Sequence, residues 1–404
     1  MRKGWEIKKL GEVCEFQNGF AFKGNSFKDN GFPVLRISNI QNNEVDFNNL
    51  VFINETDYKE DLSKYKVEKG DLLIAMSGGT TGKIGLNNSE TIFLLNQRVG
   101  KFIPKKELVK TWLYYFLSEK VEDNLKISAG SAQPNLSTEQ IKSFAIPIPS
   151  LPEQQRIVSI LDEAFSSIEQ AKENLQRNLQ NAKELFQSEL NSIFTNKGEG
   201  WEETTLKANI ELSTGFAFKS KFYTDNEDDI LLLRGDNIMQ GNFRWQDAKR
   251  WNKSEYEDYE KYQLQENDIV LAMDRPWVKA GLKCAKLTKN ELPSLLVQRT
   301  ARLRATSKID SSFLYHLIRS RGFIAYLLKG QTGLGVPHIS GPQILSFIFS
   351  KPSIIDQQKI VQQLDKLSTE TKRLEAMYQQ KLDALEELKK SILQKAFSGE
   401  LSEN

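Results

Sequence analysis

The sequence predicts an α+β protein built from two duplicated mixed α/β domains joined by two long helices. Three observations predict this class. The segment NGFAFK at residues 18–23 returns as TGFAFK at residues 214–219. Two stretches of about 40 residues carry apolar residues at helical spacing and contain neither Pro nor Gly. The remainder consists of short β-prone runs separated by turn signals such as NN, GG and NG.

The repeat extends over almost the whole chain with a nearly constant offset. Gly215 lies 196 positions after Gly19, and Gln357 lies 203 positions after Gln154. Two large copies with small loop insertions predict one fold used twice, rather than a solenoid of many small repeats.

The copies divide the chain into four parts. Residues 1–150 form the first globular domain and end in IPIPSLPEQ, whose prolines stiffen the chain before a helix. Residues 151–196 form the first long helix, residues 197–353 the second domain, and residues 354–404 the second long helix. Within the first domain, apolar residues at helical spacing also predict a helix over residues 110–121.

Each long helix has an apolar stripe with alternating spacings of three and four, which is a heptad seam. The first seam contains Ile157, Leu161, Ala164, Ile168, Ala171, Leu175, Ala182 and Leu185. The second contains Ile360, Leu364, Leu367, Leu374, Tyr378, Leu385, Leu388 and Ile392. Two stripes of equal length most simply bury each other, which predicts an antiparallel coiled coil with pseudo-two-fold symmetry.

A polar residue interrupts each seam at an equivalent place near the middle of its helix, Asn178 in the first and Lys381 in the second. In an antiparallel pair, equivalent central residues face each other. We therefore predict that these two side chains meet near the pseudo-two-fold axis and fix the register. The alternative is that both point to solvent where the helices splay.

Composition excludes several classes of protein. The 404 residues contain 39% hydrophobic and 27% charged residues, and no apolar run is long enough to span a membrane. The N-terminus MRKGWEIKKL lacks the apolar core of a signal peptide. Cys14 and Cys284 occupy non-equivalent positions, which indicates reduced thiols in a cytoplasm. The formal net charge of +2 means that a nucleic-acid partner would need local basic patches.

Motifs for catalysis or cofactor binding are missing. The two histidines, His316 and His338, are replaced in the first copy by Tyr115 and Asn135, and neither has a Cys or His at metal-ligand spacing. The segment SGGTTGKIG at residues 77–85 departs from a phosphate-binding loop at both its first Gly and its Ser/Thr position. The sequence therefore predicts a chain that is not an enzyme and holds no metal or cofactor.

Polar residues occupy the loops between the β-prone runs, at equivalent places in both copies. Arg, Asn, Gln and Ser in loops are residue types that hydrogen-bond phosphates and base edges. In the first copy the candidate DNA-contacting residues are Lys23, Arg36, Ser38, Asn39, Ser77, Thr80, Thr81, Lys83, Gln97, Arg98 and Gln133. In the second copy they are Lys219, Arg234, Asp236, Asn237, Asp274, Arg275, Trp277, Lys279, Gln298, Arg299 and His338. The alternative is that the arginines pair with nearby acids and hold each domain together.

These features together resemble the specificity subunit of type I restriction-modification systems. The resemblance covers almost the whole chain. It rests on GWEIKKLGEV and GWEETTLKAN, NGFAFK and TGFAFK, GDLLIAMSG, LLNQR and LLVQR, and the junction QPNLSTEQIKSFAIPIPSLPEQQRIVSILD. The second junction, KPSIIDQQKIV, departs from the pattern because only Pro352 remains of the prolines and Asp356 replaces Glu153.

The resemblance implies two target recognition domains, each of which recognises one half of a bipartite, gapped site in double-stranded DNA. It implies that the coiled coil sets the gap and docks two modification subunits. S-adenosylmethionine, ATP and Mg would be bound by the modification and restriction subunits, and none by this chain. Because the chain is nearly neutral, we expect tight DNA binding to need the modification subunits.

Two alternatives remain open. The chain could be a coiled-coil scaffold that binds proteins without DNA specificity, in which case it has neither DNA affinity nor a modification partner. It could also be an enzyme with an unfamiliar motif, which predicts a cluster of reactive residues in one cleft of both copies.

Overall fold

The computed structural model describes residues 4–41, 43–128, 135–278, 281–329 and 338–402, with the backbone alone for residues 121–128 and 278. The chain divides into two compact units. Unit 1 comprises Met1–Leu175 and Gln380–Asn404, and unit 2 comprises Gln176–Gln379. Each unit therefore contains one globular part and one half of each long helix.

Unit 1 is a mixed α/β structure that leads into the first long helix. Its elements are β1 Glu6–Lys9, α1 Leu10–Val13, β2 Cys14–Asn18, β3 Phe32–Leu35, β4 Ile40–Gln41, β5 Asn43–Val45, β6 Val51–Ile53, β7 Lys66–Val67, β8 Leu72–Ala75, β9 Ile84–Leu86, β10 Phe93–Leu95, β11 Val99–Pro104, α2 Lys110–Ser128, α3 Thr138–Lys142, β12 Ala145–Ile148 and α4 Leu151–Thr195. The strands form three sheets, with orders β1-β12, β6-β3-β10-β7 and β2-β11-β8-β9-β5-β4. Helix α2 was predicted, but it extends beyond residue 121 to Ser128.

Unit 2 repeats this plan. Its elements are β13 Glu202–Thr205, β14 Ile210–Thr214, β15 Ile230–Leu233, β16 Arg250–Trp251, β17 Ile269–Ala272, β18 Trp277–Val278, β19 Gly281–Leu282, β20 Cys284–Lys286, β21 Ser294–Leu296, β22 Thr300–Ala305, α5 Ser311–Ile318, α6 Arg321–Lys329, α7 Gly341–Leu345, β23 Ile348–Lys351 and α8 Ile354–Ser398. The sheets have orders β13-β23, β14-β22-β17-β20, β16-β15-β21 and β18-β19.

The repeated Gln-Gln of the two junctions is explained by one buried amide. In unit 1, Gln154 accepts from the backbone N–H of Val109 at 2.9 Å and donates to the carbonyl of Pro149 at 2.9 Å. In unit 2, Gln357 makes the same two bonds, with Asp310 and Pro352 as partners. Both glutamines are completely buried, so each amide fixes a long helix to its globular part.

The long helices run antiparallel within each unit. In unit 1, Lys172 of α4 binds Glu386 of α8 at 2.7 Å. Three residues earlier in α4, Glu169 binds Lys389, three residues later in α8, at 3.4 Å, so the two helices run in opposite directions. In unit 2, the side chain of Gln363 in α8 donates to Glu189 in α4 at 2.9 Å. Each helix has 45 residues. The two predicted long helices and their antiparallel packing are confirmed.

Part of the predicted seam is wrong. Leu185 and Leu388 are 49% and 47% exposed, although both were assigned to the buried stripe. Near these ends the helices turn their apolar side chains toward the globular parts. In unit 1, Phe397 packs on the buried Trp112 with ring centroids 4.6 Å apart, and in unit 2 the equivalent Phe194 packs on Phe313 at 5.2 Å.

The predicted register pair stays a prediction. Both Asn178 and Lys381 have exposed side chains, and they belong to different units. Within the described residues, no helix is both long enough and apolar enough to cross a membrane.

Candidate nucleic-acid interface

The candidate loops of unit 1 gather at one edge of its sheets. Strand β11 is antiparallel to both β2 and β8, so the start of β11 lies beside the ends of the other two. Strand β10 is parallel to β3, and the N–H of Asn96 after β10 donates to the carbonyl of Leu35 at the end of β3. Residues 36–39, 77–83 and 97–98 therefore share this edge, and we call them loop cluster 1.

The repeated GFAFK segment closes this edge. Phe20 forms a β-bridge with Asn96, and the N–H of Gln97 donates to the carbonyl of Phe20 at 2.7 Å. A Cβ atom on Gly19 would lie 2.1 Å from the carbonyl oxygen of Asn96, so only glycine fits. Gly215 is under the same constraint, with 2.0 Å to the carbonyl oxygen of Val297. The motif recurs because the close backbone approach is used twice.

Two hydroxyl groups hold loop cluster 1 together. Thr80 donates to the carbonyl of Ile37 at 2.9 Å, which joins two of the loops. The buried Thr81 donates to the carbonyl of Gly78 at 2.7 Å, within its own turn. Ser77 is also buried, and its hydroxyl has no hydrogen-bond partner among the described residues. Four candidate residues lie between positions 77 and 83, and of these Thr80 and Lys83 are partly exposed.

Asn39 and its counterpart Asn237 lie inside their turns rather than on the surface. Asn39 accepts from the N–H of Arg36 at 3.0 Å and donates to the carbonyls of Asp46 and Asn48, both at 3.0 Å. Asn237 accepts from Arg234 and donates to the carbonyl of Arg244. They are 1% and 6% exposed. This placement favours a role in shaping the loop over a direct contact with DNA.

Loop cluster 1 presents cations that lack acidic partners. Arg98 is exposed, and within the described residues its guanidinium has no hydrogen-bond or ion-pair partner. The same holds for the amine of Lys83 in this cluster and for that of Lys23, the last residue of the NGFAFK segment outside it. Arg36 is half-buried and donates to the carbonyl of Asn49 at 2.8 Å. Ser38 and Gln97 are exposed beside these cations.

Arg98 has an unusual backbone conformation that recurs in the second copy. Its φ is +67°, and that of Arg299 is +66°. In both copies the carbonyl of this arginine accepts from the N–H of a methionine, Met76 or Met273, at 2.8 Å. A non-glycine residue held in the left-handed region at an exposed loop is the kind of local strain that often occurs at functional sites.

Unit 2 has the equivalent edge, formed by residues 234–237, 274–277, 298–299 and 338, which we call loop cluster 2. Here two arginines do pair with acids. Arg299 Nε lies 3.1 Å from Asp274 Oδ2, and Arg234 lies 3.3 Å from Asp236. The sequence analysis gave as an alternative that the arginines pair with nearby acids. This alternative applies to Arg299 and Arg234, whereas Arg98 has no acidic partner among the described residues.

Other residues of this second edge differ in their surroundings. Arg275 and Gln298 are exposed, as is Lys219 at the end of the TGFAFK segment, and within the described part of the chain their side chains have no partner. The indole N–H of Trp277 is buried and has no acceptor among the described residues. Lys279, like Gln133 of the first copy, lies outside the described residues.

Two residues at these edges were not predicted. Asn135 forms a β-bridge with Ser77, as His338 does with Asp274. The constant offset between the copies is the signal that could have identified it, because His338 was already a candidate. Lys283 is 9% exposed and donates to the carbonyl of Gly235, and burial lowers the pKa of its amine. Nothing in its sequence context distinguishes it.

Groups that could support other chemistry are few in the described structure. Among the described residues, no cluster of three or more His, Cys, Asp or Glu side chains could hold a metal ion. Cys14 and Cys284 are both buried and free, and burial raises the pKa of each thiol to about 12. Thiols with such pKa values are poor nucleophiles at neutral pH.

Comparison with known proteins gives a consistent result. The family model described as "Type I restriction modification DNA specificity domain" matches twice, at residues 2–177 and 198–386. The specificity subunit of the type I restriction enzyme EcoAI from Escherichia coli is 36% identical over 170 residues, which are 42% of this chain and 28% of that protein. The EcoKI specificity subunit of Escherichia coli strain K12 is 27% identical over 99% of this chain and 90% of its own length.

A solved structure shares the fold over the full length. A chain from the type I restriction-modification system, solved to explain its complex assembly and conformational transition, has a TM-score of 0.77 and 16% identity and covers 98% of both chains. The family model matches both copies of the repeat, and the fold has the duplicated domains and paired helices that the sequence predicted. The chain therefore belongs to the family of type I restriction-modification specificity subunits.

Proposed function

We propose that loop clusters 1 and 2 each recognise one half of a bipartite, gapped site in double-stranded DNA. The observation that carries this proposal is that both loop clusters have the same backbone geometry but different polar side chains. The left-handed arginine and its bond to a methionine N–H recur in both edges, whereas the surrounding acids do not. A conserved frame with different polar groups is what recognition of two different half-sites requires.

The side chains fit base and phosphate recognition. Arg98 is exposed and unpaired among the described residues, so its fork of donors is available for guanine or for phosphate. Gln97 beside it has the amide that pairs with adenine in the major groove. Asn39 and Thr81 stabilise the turns of loop cluster 1 from inside, and Asn237 does the same in loop cluster 2.

The long helices would set the spacing of loop clusters 1 and 2 and bind the modification subunits. At about 1.5 Å per residue, a helix of 45 residues is roughly 68 Å long, which supports a role of the helix pair in setting the gap. We propose the division into target recognition domains at residues 1–150 and 197–353, with helices at residues 151–196 and 354–404. Two modification subunits would dock on this frame, in the cytoplasm where the DNA is.

As a specificity subunit, the chain is the non-catalytic component of its system. S-adenosylmethionine and ATP belong to the partner subunits. Because the chain has a formal net charge of only +2, we expect specific DNA binding at physiological salt to need the modification subunits. Nanomolar binding by the isolated chain would contradict this expectation.

The test is to co-express the chain with its modification subunit in a host that lacks DNA methylation, and to map N6-methyladenine by single-molecule sequencing. A gapped motif with two different halves is expected. Replacement of Lys106 is the matched control. This exposed lysine follows the end of β11, whereas Arg98 precedes its start, so the motif should stay unchanged. A stable complex that methylates no motif would contradict recognition, and absence of any complex would favour the scaffold alternative.

A further inference from the structure

Asp274 is tied to two other residues of loop cluster 2. One carboxylate oxygen lies 3.1 Å from Arg299 Nε, and the other accepts from His338 Nδ1 at 2.5 Å. Asp274 is 27% exposed, whereas the side chain of Arg299 is 72% exposed. The carboxylate is therefore held at the base of the loop while the arginine projects from it.

Asp274 and Arg299 form an ion pair whose shortest separation is at Nε of the guanidinium. Among the described residues, the two terminal nitrogens of Arg299 donate no hydrogen bond. Those nitrogens can form the parallel pair of donors that fits O6 and N7 of guanine in the major groove. The charge of the pair is neutral overall, so Arg299 has little general attraction for phosphate and keeps its directional hydrogen bonds.

The backbone around this pair is fixed on both sides. The N–H of Met273 donates to the carbonyl of Arg299 at 2.8 Å, and the N–H of Ile339 donates to the carbonyl of Met273 at 2.8 Å. These bonds fix the Arg299 backbone, and the ion pair with Asp274 restricts the directions that its side chain samples, so less freedom is lost on binding. The consequence is a pre-organised donor pair.

The first copy is an internal comparison. Its equivalents of Asp274, Arg299 and His338 are Ser77, Arg98 and Asn135, on the same backbone bonds: Met76 N–H to Arg98 O at 2.8 Å, and Leu136 N–H to Met76 O at 2.7 Å. Ser77 is neutral and buried, and no described acid contacts Arg98. The copies thus differ in the acid and not in the frame.

We infer that Asp274 is a positioning residue that holds Arg299 for guanine, so that the second half-site is recognised more strictly at this base than the first half-site is at the base near Arg98. This inference rests on the proposed function. It names one specificity-determining pair, Asp274 and Arg299, and one base.

The experiment measures initial methylation rates of the assembled methyltransferase on duplexes randomised one base at a time in each half-site. Asp274→Ala should lower discrimination between guanine and the other bases about tenfold at one position of the second half-site. The first half-site should not change. Asp274→Glu keeps a carboxylate for the ion pair with Arg299, so it should retain most of the discrimination, whereas a merely structural loss would affect all sequences alike. Asp225→Ala is the matched control, because it removes an exposed acid that pairs with Lys249 outside loop cluster 2, and it should change neither half-site.

Several outcomes would overturn the inference. Unchanged discrimination in Asp274→Ala, or an equal gain or loss of rate on every sequence, shows that the acid does not position the arginine. If Asp274→Ala does not fold, Arg299→Lys decides, because an ammonium keeps the ion pair but lacks the forked donors; unchanged guanine preference would then reject the inference. Failure of the proposed function is distinct, since the unaltered complex would itself methylate no gapped motif.

Discussion

His316 Nε2 lies 3.2 Å from Asp365 Oδ1, at the position where Tyr115 donates to Asp162 in the first copy. Both pairs join a helix of the globular part to a long helix within one unit. Burial and the hydrogen bond to Asp162 raise the pKa of Tyr115 above its ordinary value. A tyrosine anchor with a raised pKa therefore stays neutral, whereas the pKa of His316 is lowered by burial, so this anchor gains charge only as the pH falls.

The first prediction is that unit 2 loses stability as the pH falls below about 6.5. Burial lowers the pKa of His316 and outweighs the opposing effect of Asp365, while Arg319 and Lys286 lower it further. Between the folded and unfolded pKa values the unfolded state binds more protons, so stability is fully present above the unfolded value and is lost as the pH falls toward the folded one.

Hydrogen exchange of α5 at pH 7.5 and pH 5.5, compared with that of α2, measures this effect. Protection of α5 should fall selectively in the original chain and stay constant in His316→Tyr, which copies the first anchor. His338→Asn is the control, because His338 is the second of the chain's two histidines. Equal loss of protection in both helices would contradict the prediction.

The second prediction concerns Arg98. Its side chain is exposed and unpaired among the described residues, so Arg98→Ala should leave the unfolding free energy unchanged. If Arg98 makes a bidentate base contact, the substitution weakens one half-site by about 1–3 kcal/mol. Methylation rates on duplexes altered in either half measure this loss. An equal loss on all sequences would identify a phosphate contact, and Arg98→Lys, which keeps the charge, would then restore most of the rate.

The third prediction is that Asn39→Ala destabilises unit 1 by about 1–3 kcal/mol, because it removes three hydrogen bonds at a buried site. Urea unfolding of the full chain measures the change. The neighbouring Ser38→Ala is exposed and should stay within about 0.5 kcal/mol of the original. A stable Asn39→Ala variant that has lost only recognition would instead return Asn39 to the DNA-contacting residues.

Much of the fold could be predicted because the repeat gives two independent sequences for each structural element. The heptad stripes predicted both long helices, whereas the close backbone approach that requires Gly19 and Gly215 is seen only in the structure. The exposure of Leu185 could not be predicted, because the stripe alone does not say where the globular part replaces the partner helix.

The candidate site was predicted as a set of loops but not as a set of contacts. Asp274 and Arg299 are 25 positions apart, and their pairing depends on a strand register that the sequence does not specify. Asn39 was assigned to DNA contact because a loop asparagine looks exposed in sequence. Its burial follows from the turn that folds around it.

The last prediction uses a second difference between the copies. Phe165 of α4 packs on Tyr115 with ring centroids 5.3 Å apart and is covered by the amine of Lys389 at 5.2 Å. The equivalent residue of α8 is Ser368, and Thr371 likewise stands in place of Ile168. In unit 2 this region is a polar cleft of about 1160 Å³, lined by Ser368 and Thr371 among others.

Exchange of the two residues should therefore have unequal effects. Phe165→Ser leaves a cavity in a filled site and should cost roughly 3–5 kcal/mol of unfolding free energy. Ser368→Phe places a ring into open space and should cost less than about 1 kcal/mol, because the cleft accepts it without overpacking. Urea unfolding of each variant, with hydrogen exchange of α2 and α5 to locate the change, tests this asymmetry. Equal costs would show that the cleft closes around Ser368 in solution.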